Sequence, residues 1–220
     1  STPIKSSAAS DVYKRQNVSQ PHSVSAWCQL VHEFLLHITD RYGLDTIKTW
    51  KFGLWNQPNT SSDLFGFTNE NDFFLFYKST YDCIKDFCPD IEFSLPPTYY
   101  IVGESYENWY LNFLEWCKKN SCLPDCLSFT YYDTKMISDK NHSKESFGVV
   151  YAMSLSESPD GLKDFVMQVL RERRQLGLGN MPIYLSEWNN TPSQQDLLND
   201  TCFKSCYIVK NILENYDRLD

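Results

Sequence analysis

Apolar positions along the chain first follow a helical spacing and then form a strand-like run. The apolar residues from Trp27 to Ile38 recur every three or four positions, which predicts one apolar helix face. Gly43 is expected to end this helix, because glycine readily adopts the backbone conformation of a helix terminator. The aromatic run from Trp50 to Trp55 then predicts a buried strand. The helix stripe consists of Trp27, Leu30, Val31, Phe34, Leu35 and Ile38.

The same order of helix and strand continues through the rest of the chain. Each later apolar stripe has helical spacing, and a short apolar run accompanies it. The segment 133–158 shows no clear periodicity, so we expect a long loop or disorder there. Helices are predicted over 73–84, 109–117, 162–170 and about 200–215. Strands are predicted over 91–95, ended by Pro96-Pro97, over 126–132 and over 182–186, with Gly177 and Gly179 ending the helix before the last strand.

Helices that alternate with strands indicate βαβ units and a parallel sheet, so the predicted fold class is α/β. We count four strands, each followed by a helix, and one leading helix. A closed (β/α)8 barrel has eight such strands and about 250 residues. The chain of 220 residues is therefore either a smaller open α/β domain or a partial (β/α)8 TIM barrel of about four βα units.

The first sixteen residues do not fit this organisation. Ser6 to Gln16 read SSAASDVYKRQ, which resembles the translation of a transposon adapter used to prepare sequencing libraries. A short polar tail is the alternative explanation. We expect residues 1–16 to be a non-native, adapter-like tail and residues 17–220 to form an incomplete barrel domain. The adapter favours the partial barrel over the small open domain.

Composition excludes few classes of protein. Hydrophobic residues make up 42% of the chain and charged residues 22%, so a packed core is expected rather than disorder. The net charge of -8 argues against a nucleic-acid-binding surface in this segment, because such surfaces are normally basic. No run of 18 apolar residues occurs, so no membrane-spanning helix is expected. No signal peptide is visible either.

The cysteines and histidines predict no metal site. None of the eight cysteines forms a CxxC pair, and the four histidines do not have zinc-ligand spacing around them. We therefore expect no metal and no cofactor, and reduced, buried thiols in a cytoplasmic protein. Disulfides or a metal remain the alternative.

Two polar clusters follow predicted strands, where a barrel keeps its catalytic residues. They are WNQPN at 55–59 and SEWN at 186–189. A glutamate in an apolar barrel mouth is costly unless it is hydrogen-bonded or used, which makes Glu187 a candidate. A solvated loop residue is the alternative for Glu187.

WNQPN resembles the Trp-Asn-Glu-Pro-Asn motif of retaining (β/α)8 glycosidases, and the wider pattern resembles glycoside hydrolase family 39. The closest likeness is to versions of this domain attached to AraC-type transcription regulators. The resemblance implies that the chain contains strands four to seven of the barrel. The stretches that carry it are RYGLDTIKTWKFGLWNQPN (41–59), IYLSEWNNTP (183–192) and LLNDTCFKSCYIVKNILENYD (197–217).

The resemblance also implies roles for individual residues. Glu187 would be the nucleophile, Gln57 would occupy the acid/base position, and Asn56 would hydrogen-bond the sugar 2-hydroxyl. The other residues that it assigns to the substrate cleft are Trp55, Trp188, Thr130, Tyr131 and Tyr132.

Two of these positions depart from the family pattern. A retaining hydrolase needs two carboxyl groups, whereas the Gln57 carboxamide has no proton that titrates near neutral pH. Thr130 stands where the family usually has a histidine. We therefore expect a sensor module of a transcription regulator that binds a β-linked pentose or related oligosaccharide with little or no hydrolysis. The alternatives are an active β-xylosidase-like hydrolase and an α/β domain without a sugar function.

Overall fold

The computed structural model describes residues 21–60, 69–100, 106–136, 153–155, 158–192 and 197–219. The tail predicted over 1–16 lies outside these ranges. Helices and strands alternate in the described part as the sequence predicts. In chain order the elements are α1 (Val24–Tyr42), α2 (Leu44–Ile47), β1 (Lys51–Gly53), α3 (Glu70–Phe87), β2 (Glu92–Ser94), β3 (Thr98–Tyr100), α4 (Tyr106–Lys119), β4 (Leu127–Tyr132), β5 (Thr134–Met136), β6 (Met153–Leu155), α5 (Gly161–Gln175), β7 (Ile183–Asn189) and α6 (Cys202–Asn215).

The first helix has the ends that its sequence predicts. The Ser23 hydroxyl accepts a hydrogen bond of 3.1 Å from the Ala26 N–H and caps the N-terminus of α1. Gly43 has a φ of 83°, and its N–H donates to the Thr39 carbonyl at 2.9 Å. A positive φ costs glycine little, so the predicted terminator is confirmed.

The main sheet is parallel and its strands follow the chain order. Strand β1 pairs with β2, β3 pairs with β4, and β4 pairs with β7, all in parallel. A bridge between Ser94 and Cys126 joins β2 to the start of β4. The order is therefore β1, then β2 with β3, then β4, then β7, as expected of successive βα units.

The strand predicted over 91–95 ends before Pro96-Pro97 as predicted, but a second strand follows directly after the prolines. Pairing with the next strand resumes at Thr98, which lies opposite Phe129 of β4. Proline lacks a backbone N–H and interrupts the hydrogen-bond ladder, although its fixed φ is compatible with an extended chain. The prolines therefore divide one strand position into β2 and β3.

The segment 133–158 is not entirely a loop. Its two described ends form an antiparallel pair, in which Thr134–Met136 of β5 lies against Met153–Leu155 of β6. Residues 137–152 lie outside the described ranges. The sequence does not indicate these strands, because each has only three residues, too few for an alternating pattern to show.

One face of the sheet packs against the helices. On β4, the Phe129 ring lies 5.3 Å from Tyr110 of α4 and 5.4 Å from Phe165 of α5. On β2, the Phe93 ring stacks on Tyr77 of α3 at 5.0 Å. The largest fully buried side chains of this core are Tyr77, Tyr110, Tyr131, Phe73, Phe76, Phe93, Phe113, Phe129, Leu35, Ile47, Ile91 and Leu95.

The other face, which we call the open face, is concave. The Lys51 ammonium on β1 forms an ion pair with Glu92 on β2 at 3.2 Å and lies 5.2 Å from the centre of the Tyr184 ring on β7. Two strand positions separate β1 from β7, so a flat sheet would hold them about 14 Å apart. Contact between side chains of the two outer strands of the described sheet indicates that the sheet curves toward this face.

Some predicted core positions are exposed. On α1, Leu35 and Ile38 are buried, but Leu30 and Phe34 are 61% and 49% exposed.

All eight cysteines are free thiols. The prediction that they are buried is correct only for some of them, because Cys28 and Cys83 are half-buried and two others are exposed. The buried thiols are Cys88, Cys117, Cys122 and Cys126, and the exposed ones are Cys202 and Cys206.

Within the described ranges, no helix combines the length and apolarity needed to cross a bilayer.

Candidate active site

The loop that follows β1 has an unusual backbone. Trp55 and Gln57 have positive φ values of 68° and 47°. Bulky side chains rarely adopt this region, and residues held there cluster at functional sites. Gln57 is only 8% exposed, and Asn56 between the two is half-buried.

Backbone hydrogen bonds hold Gln57 in this conformation. Its N–H donates to the Pro97 carbonyl at 2.8 Å. Its own carbonyl accepts from the Thr60 N–H at 3.1 Å and from the Thr60 hydroxyl at 2.8 Å. The loop is therefore attached to the proline segment between β2 and β3.

Asn59 attaches the same loop to β3 through its side chain. Its amide nitrogen Nδ2 donates to the Tyr99 carbonyl at 2.7 Å, and its Oδ1 accepts from the Tyr99 N–H at 3.0 Å. The side chain thus takes the place of a neighbouring strand and satisfies both backbone groups of Tyr99. Sequence reasoning assigned Asn59 no role, although it belongs to the WNQPN motif and a side-chain amide is suited to this pairing.

A β-bulge directs Glu187 at the other end of the sheet. Phe129 pairs with Leu185, but the next residue of β4, Thr130, pairs with Glu187. Ser186 is therefore the extra residue, and its hydroxyl donates to the Phe129 carbonyl at 3.0 Å. Bulges re-aim side chains, and this one places Glu187 on the open face beside Thr130.

Tyr132 contacts the carboxylate directly. Its hydroxyl donates a hydrogen bond to Glu187 Oε1. Burial, followed by this hydrogen bond, raises the pKa of the Tyr132 phenol well above its usual value of 10.0. The phenol therefore stays protonated and acts as the donor. The Tyr99 ring lies 5.8 Å from the Tyr132 ring and connects this pair to Asn59.

Thr130 lies beneath this pair. It is 0% exposed, and its hydroxyl oxygen has no hydrogen-bond partner among the residues that the structure describes. A buried hydroxyl without a partner is uncommon in proteins. Thr130 therefore adds no second hydrogen bond to the carboxylate of Glu187.

The structure places the predicted aromatic residues Tyr131, Trp188 and Trp55 against helices. Tyr131 stacks on Phe165 at 4.9 Å, the Trp188 ring lies 6.0 Å from Tyr207, and the Trp55 ring lies 6.5 Å from Phe76. Successive residues of a strand point to opposite faces. Tyr131 and Trp188 therefore face away from the open face on which Tyr132 and Glu187 lie, contrary to the expectation that they would line one cleft.

The predicted site residues thus form two groups at the C-terminal ends of parallel strands. Gln57 and Asn56 follow β1, and Glu187 with Tyr132 and Thr130 lie on β7 and β4. Asn59 and Tyr99, which the sequence analysis missed, connect the groups. Proton transfer at Gln57 is not available, whereas Glu187 has a carboxylate oriented by a phenol.

Comparison with known proteins identifies the family. The chain matches the family model described as "Glycosyl hydrolases family 39" over residues 2–220. It is 28% identical over 201 residues to a "Beta-xylosidase" of Caldicellulosiruptor saccharolyticus and 26% identical over 208 residues to one of Geobacillus stearothermophilus. The alignments cover 91% and 94% of this chain, but 38% and 39% of the relatives. The chain therefore spans about two fifths of the length of these relatives.

Solved structures agree with this result. The structure is similar to that of the GH39 enzyme from Xanthomonas axonopodis pv. citri, with a TM-score of 0.78 and 25% identity over 94% of this chain and 38% of the other. It is equally similar to a monomeric beta-xylosidase from Caulobacter crescentus CB15, with a TM-score of 0.78 and 26% identity over 94% of this chain and 39% of the other. Because the family match covers nearly the whole sequence, this chain belongs to glycosyl hydrolases family 39.

Proposed function

We propose that this chain carries a retaining-type carbohydrate site in which Glu187 is the nucleophile and Gln57 occupies the acid/base position. The hydrogen bond from Tyr132 to Glu187 Oε1 at the end of two parallel strands is the observation that carries the proposal. A phenol on one carboxylate oxygen fixes the group and leaves the other oxygen, Oε2, for attack on an anomeric carbon.

In this proposal the main sheet represents strands four to seven of a (β/α)8 barrel. Its support is the parallel order of β1, β2 with β3, β4 and β7, together with the concave open face across which Lys51 reaches Tyr184. The curvature favours a barrel wall over a small open domain. Both groups of site residues then lie at the end of the barrel where such enzymes keep their active sites.

Glu187 and Gln57 would differ in the reaction steps that they can perform. Glu187 could attack and form a glycosyl-enzyme ester while the leaving oxygen departs. The Gln57 carboxamide could donate a hydrogen bond to that oxygen but could not protonate it, nor later deprotonate water. Loss of such help costs about 10²–10⁴-fold in rate. Binding would survive, with Asn56 available for the sugar 2-hydroxyl.

The ligand in this proposal is a β-linked pentose or a related oligosaccharide. The names of the two curated relatives support a xylose-type sugar. A site that binds but hardly hydrolyses suits a sugar sensor, and the likeness to domains of AraC-type regulators favours that role. The acidic charge of -8 supports a role in which this segment itself binds no nucleic acid.

The second candidate is an active β-xylosidase-like hydrolase. Identities of 28% and 26% to two β-xylosidases favour it. An active hydrolase would turn over its substrate with Gln57 in place, whereas the sensor would bind the same sugar with little or no turnover. Kinetic measurements therefore separate the two candidates, and binding measurements do not.

Gln57→Glu is the variant that separates these candidates. For the sensor, xylobiose binds to the unmodified chain in titration calorimetry with little turnover, and Gln57→Glu raises turnover by about 10²–10⁴-fold. An aryl β-xyloside with a good leaving group gives a burst of one phenol per chain, which Glu187→Gln abolishes.

Two other results would count against these proposals. Equal xylobiose turnover with Gln57 and with Gln57→Glu would favour the active hydrolase over the sensor. The absence of both binding heat and a burst would contradict a sugar site of either kind.

A further inference from the structure

Helices α1 and α3 meet through a polar and aromatic contact near the start of α1. The Trp27 indole N–H donates to the Thr80 hydroxyl at 2.9 Å, and its ring lies 5.2 Å from Phe76. Trp27 is half-buried and Thr80 is 3% exposed. This contact fixes which residues of the two helices face each other.

Two cysteines lie directly beside this contact, one on each helix. The Cys28 thiol donates to the Ser79 carbonyl at 3.6 Å, and the Cys83 thiol donates to the Cys28 carbonyl at 3.2 Å. Each thiol therefore lies against the backbone of the opposite helix. The two cysteines thus occupy facing positions on packed helices, which is the neighbourhood from which a disulfide can form.

The pair is also reachable from solvent. Cys28 and Cys83 are both half-buried, whereas Cys117 and Cys122, which also interact, are each 0% exposed. Thiol–disulfide exchange needs access to the attacking sulfur. The exposed Cys202 and Cys206 lie on α6, away from the interface of α1 with α3.

We propose that Cys28 and Cys83 form a reversible disulfide by exchange with a small disulfide such as oxidised glutathione. One protein thiolate attacks the small disulfide and forms a mixed disulfide, releasing one thiol. The second protein thiolate attacks the mixed disulfide at the protein sulfur and releases the second thiol. Two protein thiols are thereby oxidised, one small disulfide is reduced to two thiols, and two protons are transferred to the products.

The surroundings set the order of the two steps. Burial, Cys28 and Asp86 raise the pKa of the Cys83 thiol to about 11, so Cys83 is a poor first nucleophile at neutral pH. Cys28 is therefore expected to form the mixed disulfide, and Cys83 to resolve it from its adjacent position.

The disulfide would enclose the loop of the candidate site. Cys28 precedes β1 and Cys83 follows it, 55 positions later, so β1 and the WNQPN segment lie between them. A cross-link over a segment of this length restricts the unfolded chain strongly. Oxidation would thus raise the free energy of unfolding of the chain, and it would do so whether or not the site binds sugar.

The test uses the full chain with Cys202→Ser and Cys206→Ser, which prevents cross-links between exposed thiols of different molecules. After equilibration with oxidised and reduced glutathione, the remaining thiols are alkylated and peptides are mapped by mass spectrometry. The expected product is a Cys28–Cys83 peptide pair. The midpoint temperature of unfolding should rise by roughly 5–15 °C on oxidation and fall again with dithiothreitol.

Cys28→Ser and Cys83→Ser are the matched variants. Each should abolish the cross-linked peptide and the rise in midpoint temperature, and Cys83→Ser should retain a mixed disulfide at Cys28. Alkylation of both Cys28 and Cys83 under oxidising conditions would overturn the proposal. So would a cross-link that joins either of them to another cysteine. Both results come from the chain with Cys28 and Cys83 intact, so they do not depend on the folding of these variants.

Discussion

Asn59 gives the sharpest test of how the candidate site is held. Its side chain satisfies the N–H and the carbonyl of Tyr99 at 3.0 and 2.7 Å, and both residues are buried. Replacement by alanine leaves both backbone groups without these partners in a position with little access to water. A buried polar group that loses its partner costs about 1–3 kcal/mol. We therefore expect Asn59→Ala to lower the free energy of unfolding by about 2–6 kcal/mol.

The assay compares Asn59→Ala with two other variants by urea denaturation. Asn59→Asp keeps the acceptor for the Tyr99 N–H, but it sets a carboxylate oxygen against the Tyr99 carbonyl, so its loss should be at least as large. Asn120→Ala is the matched control. The Asn120 amide donates one hydrogen bond, to the Trp116 carbonyl at the partly buried end of a helix, so about 1 kcal/mol or less is expected.

Hydrogen exchange locates the effect. In Asn59→Ala, the Tyr99 amide should lose protection by more than the decrease in global stability requires, since its acceptor is gone. Equal destabilisation by Asn59→Ala and Asn120→Ala, with Tyr99 protection unchanged, would refute the inference that Asn59 takes the place of a strand. It would show that water or another group satisfies Tyr99 as well as the amide does.

Two further substitutions test the packing between α5 and β4 and the protonation of Tyr132. Gly161→Ala should lower the free energy of unfolding by about 1–3 kcal/mol in urea denaturation, because the added Cβ would overlap Asp133 Oδ1 and lie 2.7 Å from the Tyr131 hydroxyl oxygen. A neutral result would mean that these side chains move at little cost. The Tyr132 pKa is raised above 10.0 in the folded state, so its contribution to stability is complete below pH 10 and is lost as the pH rises above that value. Tyr132→Phe should therefore make the free energy of unfolding fall less steeply above pH 10, and identical slopes for the two proteins would contradict the pKa assignment.

The order of elements was predictable because each helix stripe is long and each core strand strongly apolar. The predicted apolar positions of α5 are buried in the structure, Val166 among them, and so are those of α3 except the half-buried Tyr81. Local pattern failed where tertiary contacts decide. Thr98 resumes pairing after two prolines because β4 supplies partners, and the three-residue strand β5 exists because β6 lies opposite it.

The candidate site was predictable in part, for the same reason. The position of Gln57 after β1 and of Glu187 on β7 follows from the strand-end motifs. The contact from Asn59 to Tyr99 joins residues 40 positions apart, and no periodicity in the sequence indicates such a pairing. Only the WNQPN motif hinted that Asn59 has a role.

The β-bulge at Ser186 determines which side chains of β7 lie on the open face and which lie against the helices. In regular parallel pairing, Phe129 opposite Leu185 would place Thr130 opposite Ser186, and Glu187 would fall on the helix-facing side with Tyr131. The extra residue Ser186 shifts the register by one position, so Glu187 lies opposite Thr130 and reaches the Tyr132 hydroxyl. A carboxylate on the helix-facing side would lie on the face of β7 opposite to the Tyr132 hydroxyl. The register shift, which sequence alternation alone does not reveal, thus places Glu187 on the open face, where its proposed role as a nucleophile requires it, and places Trp188 against Tyr207 of α6.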